Sequence, residues 1–384
     1  MPYAEEAFGT LGETRVLDGR GIAAADVRDA DILAVRSTTR VGRALLEGSR
    51  VRFVGTATIG TDHMDTAYLE DNGIAWCHAP GCNANSVSEY FAAALLRLSR
   101  QQGVSLQDKT VGVVGIGNVG RRIVEKAQAL GLRVFPHDPP RERREGSRPD
   151  RGVPPFVSLD RLLAESDIIT LHVPLTREGA DPTFHLADAA FFDRAGKGVV
   201  FVNSARGAVV ETQALLAALA DGRVAHAVVD TWEGEPAYNP VLLERTALGT
   251  PHIAGHSFEG KVMGTVMVYR AACGFLGVEP GWTAEALLPP PLVPELDVDA
   301  AGRSDEAVLW EIVRAVYDIE ADDASLRATS HGAPQDRADA FDRLRRNYPV
   351  RREFRFTKVL ARNATDALQA KIRALGFATR EHAG

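Results

Sequence analysis

Cysteine is scarce in this sequence: among 384 residues only Cys77, Cys82 and Cys273 carry a thiol. An odd number of cysteines without metal-ligand spacing argues against a disulfide framework and against a structural zinc site. We therefore predict no metal site, and we interpret the three side chains as small buried hydrophobic groups.

Long hydrophobic runs and an excess of positive charge are also missing. No segment approaches the ~18 apolar residues that a membrane-spanning helix needs, and the acidic opening segment MPYAEEAFGT lacks the apolar core of a signal peptide. The 44 Lys and Arg are outnumbered by 51 Asp and Glu, for a net charge of −7, whereas nucleic-acid-binding domains are usually basic. We predict a cytoplasmic protein that contacts neither membranes nor nucleic acid.

What the sequence does have is a regular alternation of apolar runs and helical patterns between residues 31 and 254. This alternation is typical of βαβ units and a mostly parallel sheet. The apolar runs are Ile32–Val35, Phe53–Val54, Val111–Val114, Val134–Phe135, Ile168–Val173, Val199–Val202 and Ala225–Val229. The helical patterns between them include Ser86–Leu98, Arg121–Leu130, Leu159–Ala164 and Thr212–Ala220.

The length allows two or three domains at about 150 residues each. A helical pattern at Asn85–Arg100 joins two α/β blocks, and another at Gly260–Phe275 is placed to return the chain to the first block. The proline-rich segment Gly281–Pro294 precedes a third region that holds one predicted strand, Thr357–Leu360. We predict a first domain at 1–84 completed by 256–284, a nucleotide-binding domain at 85–255, and a small C-terminal α+β domain at 285–384.

The opening of the first domain is unusual, because a helical pattern, Tyr3–Leu11, stands where a parallel α/β unit normally begins with a strand. We expect the natural start of the protein to lie upstream of Met1.

A glycine-rich segment follows the apolar run Val111–Val114 and opens a helical pattern. It has the spacing G-x-G-x-x-G, formed by Gly115, Gly117 and Gly120. The first glycine allows a tight turn, the second lets the backbone approach a pyrophosphate, and the third lets the helix pack closely. We expect the backbone N–H groups of Asn118 and Val119 to face the phosphates of a dinucleotide.

Asp138 lies 18 residues after Gly120, close to the ~20 expected for the carboxylate that binds the adenosine ribose. A carboxylate at this position repels a 2′-phosphate, so we predict NAD rather than NADP as the cofactor. Arg141, Arg143 and Arg144 follow and could accept such a phosphate, but we interpret them as part of a solvated loop.

Further along, Arg206, Asp230, Glu235 and His252 each come just past a predicted strand, where ligands bind in an open parallel sheet. An arginine can hold a substrate carboxylate bidentately. A histidine can take a hydroxyl proton as a hydride leaves, and an acid on its other ring nitrogen fixes the tautomer. The set predicts oxidation of a 2-hydroxy acid, with Asp230 on the nicotinamide side of the cofactor.

Spacing alone does not select one histidine. His63, His172 and His256 also lie near strand ends or in loops, so they remain alternatives to His252. No Ser-His-Asp or metal-ligand pattern offers a competing chemistry.

Four segments together resemble the D-isomer-specific 2-hydroxyacid dehydrogenases: Gly115–Gly120, Asn203–Gly207, Asp230–Pro236 and Thr250–Gly255. The resemblance implies two Rossmann-like, doubly wound domains with the substrate in the cleft between them. It implies that Arg206, Glu235 and His252 are the catalytic residues. It places around NAD the residues Val173, Ser204, Ala205, Arg206, Asp230 and Gly255, and in contact with substrate Ser37 and Thr58.

Further segments resemble a subgroup of this family that oxidises a phosphorylated 2-hydroxy acid, 4-phospho-D-erythronate, and forms a homodimer through its C-terminal domain. They are Val35–Val41, Phe53–His63, Ala79–Asn83, His252–Lys261 and Phe341–Tyr348. One departure is His256, where the subgroup usually has tyrosine, so one substrate contact is changed. Another is the missing first strand. A different D-2-hydroxyacid dehydrogenase, such as one acting on 3-phosphoglycerate, and a non-catalytic NAD-sensing protein remain alternatives.

The substrate phosphate calls for a cationic partner. We hypothesise that Arg36, or a C-terminal arginine reaching across a dimer, holds it, because arginine presents a fork of donors. The C-terminal candidates are Arg343, Arg345, Arg346, Arg351 and Arg352, most of which we interpret as a solvated charged face.

Overall fold

Backbone contacts divide the chain into two units in the computed structural model, which describes residues 1–146 and 152–379. The first unit comprises Met1–Ala84 and Ser257–Pro290, and the second comprises Asn85–His256 and Pro291–Gly384. The assignment of 285–384 as a separate domain stays a prediction. Within the two described ranges, no helix is long and apolar enough to cross a bilayer.

Twelve strands and sixteen helices make up the described regular structure. The strands are β1 (Ile32–Val35), β2 (Phe53–Thr56), β3 (Ala75–Cys77), β4 (Thr110–Val114), β5 (Arg133–His137), β6 (Ile168–Leu171), β7 (Val199–Asn203), β8 (Val224–Val229), β9 (Leu248–Gly249), β10 (Glu295–Asp299), β11 (Lys358–Arg362) and β12 (Ala378–Thr379). The helices are α1 (Ala4–Phe8), α2 (Ala24–Val27), α3 (Arg43–Leu46), α4 (Thr66–Asp71), α5 (Ala84–Gln102), α6 (Asn118–Ala129), α7 (Pro139–Glu145), α8 (Leu159–Glu165), α9 (Ala189–Arg194), α10 (Thr212–Ala220), α11 (Pro240–Arg245), α12 (Phe258–Leu276), α13 (Asp305–Val316), α14 (Ile319–Ala328), α15 (Pro334–Arg346) and α16 (Asp366–Ala374).

The first unit is built on a three-stranded parallel sheet in the order β1-β2-β3. One apolar cluster contains residues of this sheet and its flanking helices, among them Val54 and Leu69. A second apolar cluster contains Phe53 of β2 together with residues of α1 and α12. Helix α12 lies close to β2 because Gly55 has no side chain: a Cβ there would come within 2.3 Å of Val268 Cγ1. The helix that follows the second sheet in sequence thus completes the core of the first unit.

The second unit contains a six-stranded parallel sheet in the order β5-β4-β6-β7-β8-β9. Strands β4, β6 and β7 are buried throughout, as expected for an apolar sheet covered on both faces. The chain runs from β4 to β5 on one side and then to β6 on the other. This reversal of strand order creates a crevice at the carboxyl ends of β4 and β6, the usual ligand site in such folds.

The C-terminal region of the second unit has its own three-stranded parallel sheet, in the order β10-β11-β12. The predicted strand Thr357–Leu360 corresponds to Lys358–Arg362. The strands Glu295–Asp299 and Ala378–Thr379 were not predicted, and α13, α14 and α15 lie between β10 and β11.

The predicted α/β class with parallel sheets is confirmed, and each apolar run of residues 31–254 overlaps a strand, although the run Ile168–Val173 extends two residues beyond β6. The interpretation of the cysteines as buried is correct for Cys273 and wrong for Cys77 and Cys82, which are only half-buried. Burial nevertheless raises the pKa of both these thiols to about 11, so they stay protonated near neutral pH.

A buried acid lies on α5, the long helix that opens the second unit. Glu89 is 1% exposed and accepts hydrogen bonds from the Phe354 N–H and the Asn85 side chain, both at 2.9 Å. Burial and the nearby Glu353 raise the pKa of Glu89 to about 8, although Lys126 and Arg351 oppose this shift. The folded protein therefore holds a proton that the unfolded chain releases at lower pH.

This proton makes stability depend on pH. Between about pH 5 and about pH 8 the free energy of unfolding should fall as pH rises, and Glu89→Gln should reduce that slope by about 1 kcal/mol per pH unit. Urea unfolding of both proteins across this range measures the two slopes. Equal slopes would contradict the assignment of the bound proton to Glu89.

Candidate active site

The glycine-rich turn joins β4 to α6 at the crevice of the six-stranded sheet. Gly115 has a φ of +88°, which favours glycine. A Cβ on Gly120 would lie 1.9 Å from the Gly115 carbonyl oxygen, whereas a Cβ on Gly117 would meet no atom within 4 Å. Gly120 therefore permits the close packing of helix and turn, and Gly117 leaves open space beside the N-terminus of α6, where backbone N–H groups favour an anion.

Asp138 immediately follows β5 and is fixed to this turn. Its carboxylate accepts the Ile116 N–H at 2.8 Å and the Arg141 N–H, at the start of α7, at 3.0 Å. The carboxylate thus stands at the end of the strand next to β4, as the NAD prediction requires, and its contact with a ribose stays a prediction.

The interpretation of Arg141, Arg143 and Arg144 as a solvated loop is wrong about the loop for all three and wrong about the solvation for Arg141. All three lie on α7, and Arg141 is only 8% exposed. Its guanidinium donates to the Ile116 carbonyl at 2.7 Å and pairs with Glu145. Because Ile116 lies within the glycine-rich turn, Arg141 stabilises the conformation of that turn. Arg143 and Arg144 are exposed, and Arg143 pairs with Asp181.

Val173 and His172 follow β6 on the other side of the crevice. A Cβ on Gly115 would come within 2.8 Å of Val173 Cγ1, so Val173 lies against the glycine-rich turn. His172 is buried, with its Nε2 2.8 Å from the Thr170 hydroxyl, and burial lowers its pKa to about 3. This histidine stays neutral near pH 7 and is a poor candidate for taking a substrate proton.

Glu235 and His252 form a carboxylate–imidazole pair. The Glu235 Oε1 is hydrogen-bonded to His252 Nδ1, and its Oε2 accepts the Trp232 N–H at 3.0 Å. Burial acts to raise the pKa of Glu235, but the nearby His252 and these hydrogen bonds hold it below its usual value. The carboxylate is therefore anionic near neutral pH, fixes the imidazole tautomer, and leaves Nε2 as the ring nitrogen for proton exchange.

His252 is held by its backbone as well. It has a φ of +54°, which is rare for a residue other than glycine, and its N–H donates to the Asp230 carbonyl at 2.8 Å. Non-glycine residues in this region persist only where their surroundings fix them, and they are common at functional sites.

Asp230, directly after β8, supplies much of that fixation. Its carboxylate is 1% exposed and accepts the Thr250 hydroxyl at 2.7 Å, the Ile253 N–H at 2.8 Å and the Ala254 N–H at 3.0 Å. Burial raises the pKa of Asp230, while these donors and His252 oppose the shift. The structure thus shows Asp230 holding the loop that carries His252; its predicted contact with the nicotinamide stays a prediction.

Arg206 lies in the loop after β7. A Cβ on the next residue, Gly207, would be 1.9 Å from the Trp232 carbonyl oxygen, so this loop packs directly on the segment that leads to Glu235. The Asn203 side chain adds a bond to the Thr231 carbonyl at 3.1 Å. Because β7, β8 and β9 are neighbours in the sheet, the loops that carry Arg206, Glu235 and His252 share one edge.

Ser204 and Ala205, which are also predicted to bind the cofactor, directly follow β7 at this edge of the sheet. The Ser204 hydroxyl is buried and has no hydrogen-bond partner in the described part of the chain, so it is available to a ligand. Ala205 is buried beside it and accepts a bond from the Arg206 guanidinium at 2.8 Å through its carbonyl.

The predicted substrate residues of the first unit lie at the carboxyl edge of its own sheet. Arg36 and Ser37 follow β1, and Thr58 follows β2. The Thr58 hydroxyl is 2.8 Å from that of Thr56 and donates to the Gly60 carbonyl, while His63 Nε2 is 2.9 Å from the Thr56 hydroxyl. Their roles, and that of His63 as an alternative base, stay predictions.

The C-terminal region supplies contacts that sequence reasoning missed. Gly255 and His256 end the His252 loop, and the His256 ring lies edge-on to Tyr348 with centroids 5.6 Å apart. Arg351 and Arg352, interpreted with the other C-terminal arginines as solvated, are 6% and 5% exposed, so that interpretation is wrong for these two. No local signal separates them in sequence from exposed neighbours such as Arg346.

Comparison with protein families gives two matches along this chain. Residues 84–254 match the D-isomer specific 2-hydroxyacid dehydrogenase, NAD binding domain. Residues 287–376 match a domain of unknown function, DUF3410.

Curated relatives match over nearly the whole chain. An erythronate-4-phosphate dehydrogenase from Azotobacter vinelandii is 48% identical over 377 residues, which cover 98% of this chain and 97% of the relative. One from Salinibacter ruber is 48% identical over 355 residues, covering 92% and 90%.

Solved structures share the fold. D-lactate dehydrogenase from Aquifex aeolicus, complexed with NAD and lactic acid, superposes with a TM-score of 0.60 at 25% identity and covers 72% of this chain and 92% of its own. NAD⁺-bound 3-phosphoglycerate dehydrogenase from Entamoeba histolytica gives a TM-score of 0.60 at 22% identity, covering 71% and 89%.

Proposed function

Because the chain belongs to the D-isomer-specific 2-hydroxyacid dehydrogenase family, and within it to the erythronate-4-phosphate dehydrogenases, we propose that it oxidises 4-phospho-D-erythronate to 2-oxo-3-hydroxy-4-phosphobutanoate with NAD. This reaction serves the synthesis of pyridoxal 5′-phosphate. The likeness to the curated relatives extends through the C-terminal region and supports the choice of substrate. A homodimer and a cytoplasmic location belong to the same proposal and rest on the resemblance.

The chemistry rests on one observation, the Glu235–His252 pair. With Nδ1 held by the anionic carboxylate, His252 Nε2 accepts the proton of the substrate C2 hydroxyl, and Glu235 stabilises the imidazolium that forms. Arg206 binds the substrate carboxylate and polarises the forming carbonyl. Bound NAD would supply the acceptor for the hydride that leaves C2. In the reverse direction His252 returns the proton.

The residues of the second unit fit NAD. The open space at Gly117, the N-terminus of α6, the carboxylate of Asp138 and the unsatisfied Ser204 hydroxyl would hold its pyrophosphate, its ribose and a further polar group. Val173, Asp230 and Gly255 complete the set that we propose around it.

Gly117 offers a test of this fit that spares the fold. Because a Cβ at Gly117 meets no protein atom within 4 Å, Gly117→Ala should leave the melting temperature nearly unchanged and weaken NAD binding at least about tenfold by filling the pyrophosphate space. Gly274→Ala, on α12, also meets nothing within 4 Å and is the matched control. Calorimetric titration measures both dissociation constants, and an unchanged constant for Gly117→Ala would refute this placement of the pyrophosphate.

The substrate assignment is tested by competition between two phosphorylated acids. We expect NAD reduction with 4-phospho-D-erythronate to exceed that with 3-phosphoglycerate by at least about 100-fold in kcat/KM. Parallel reactions include a 2-oxo acid as electron acceptor, in case the reduced cofactor stays bound. Preference for 3-phosphoglycerate would keep the mechanism and overturn the substrate, and turnover of neither acid despite bound NAD would favour a nucleotide-sensing protein.

A further inference from the structure

Arg351 connects the C-terminal region to the loop of His252. It lies between α15 and β11, and its Nη2 donates to the Ala254 carbonyl at 2.8 Å and approaches the Ser86 carbonyl at 3.5 Å. The N–H of the same Ala254 donates to Asp230. Residue 254 is therefore held on one side by the nucleotide-binding sheet and on the other by the C-terminal region.

The Arg351 guanidinium packs against an aromatic ring, while its Nε and Nη1 have no hydrogen-bond partner in the described part of the chain. It stacks on the Tyr317 ring at 4.1 Å, and the hydroxyls of Tyr317 and Tyr348 donate to the Asp322 carboxylate at 3.0 and 2.8 Å. A buried cation between an aromatic face and nearby acids has few alternative positions. Arg351 thus presents Nη2 to Ala254 from a buried position against the Tyr317 ring.

A second contact anchors the other end of the loop. The Gly249 N–H, at the end of β9, donates to Asp323 Oδ1 at 2.7 Å. Asp323 pairs with Arg327, whose guanidinium donates to the carbonyls of Leu243 and Thr246 at 2.8 and 2.9 Å. Helix α14 therefore fixes the start of the segment 249–254, and Arg351 fixes its end.

We propose that the C-terminal region of each protomer is part of its own catalytic unit, because Asp323 and Arg351 position the His252 loop between them. Both are positioning residues, since neither touches the reacting atoms. This assigns to the domain of unknown function a role that dimerisation alone does not include. The kinetic test of this inference rests on the proposed function, whereas the hydrogen-exchange test depends only on the geometry.

The kinetic test uses the full-length protein with Arg351→Met, Arg351→Lys and Asp323→Ala. We expect Arg351→Met to lower kcat about 10- to 100-fold with a smaller change in KM, because displacing His252 affects the chemical step more than binding. Arg351→Lys should recover part of the loss, since an ammonium can still reach one carbonyl. Asp323→Ala tests the other anchor and should also lower kcat.

Two controls separate positioning from loss of stability. Val359→Ala weakens the buried core of β11 without touching the loop, and Arg362→Met removes an exposed pair with Asp297. Both should keep kcat within about twofold of wild type. A kcat loss in Val359→Ala equal to that in Arg351→Met at a similar melting temperature, or an Arg351→Met variant with wild-type kcat, would overturn the proposal.

Hydrogen exchange tests the inference without any substrate. The amides of Ile253 and Ala254 should exchange at least about tenfold faster in Arg351→Met than in wild type, while those of α16 stay unchanged. If the wild-type protein fails to turn over 4-phospho-D-erythronate but this exchange difference is present, the proposed function fails and the positioning stands. Unchanged exchange at these amides refutes the positioning whatever the substrate.

Discussion

His252→Ala is expected to lower kcat by about 10²- to 10⁴-fold while NAD binding stays close to wild type. The imidazole is the group that takes the hydroxyl proton, whereas the glycine-rich turn and Asp138 lie on the other side of the strand-order reversal. Steady-state kinetics with 4-phospho-D-erythronate and calorimetric titration with NAD measure the two effects. A variant that turns over substrate at the wild-type rate would refute the assignment of His252.

The chain contains a matched control for this variant. His185 is also paired with a carboxylate, that of Glu233, also has a positive φ, at +52°, and has a side chain 30% exposed, as His252 does. His185→Ala removes the same ring from the same kind of pair and should keep kcat within about twofold. A large loss in both variants would mean that the carboxylate–imidazole geometry does not by itself identify the base.

Arg206→Met is expected to lower kcat/KM by about 10²- to 10⁴-fold, because it removes the charge-assisted bonds to the substrate carboxylate and leaves that anion unpaired. Arg206→Lys should recover only part of this loss, since lysine cannot bind a carboxylate bidentately. The control is Arg223→Met at the start of β8, where the guanidinium faces Asp193 and Asp221 at the surface. Wild-type kcat/KM in Arg206→Met would remove Arg206 from the site.

Hydrophobic runs in the sequence were sufficient to predict the inner strands of the six-stranded sheet because these strands are buried and continuously apolar. Val111–Val114 and Val199–Val202 were predicted within one residue of the observed strands. The strands that were missed are short or polar: β3 and β12 have three and two residues, and β10 reads Glu-Leu-Asp-Val-Asp with three acids. Such strands form because a neighbouring strand offers hydrogen bonds, which is a tertiary effect that local pattern does not contain.

Sequence alone could likewise identify some residues of the candidate site but not others. Arg206, Glu235 and His252 could be selected from sequence because each follows a strand end in a motif with recognisable spacing. The burial of Arg141 and Arg351 could not, since each lies in a run of charged residues and is buried only by distant partners, such as the Ala254 carbonyl for Arg351. The three hydrogen bonds that the Asp230 carboxylate accepts likewise come from a loop twenty or more residues away in the chain.

The interleaved composition of the first unit has a consequence for biosynthesis. Its core needs α12, yet α12 ends at Leu276, 192 residues after Ala84, where the first segment of the unit ends. At about 5–20 residues per second, a ribosome needs about 10–40 s to cover that distance. During this interval the apolar surface around Phe53 lacks the helix that covers it and is open to chaperones. The six-stranded sheet is synthesised later than β1–β3, but its strands come from one continuous stretch of chain. This sheet can therefore fold before the first unit is complete.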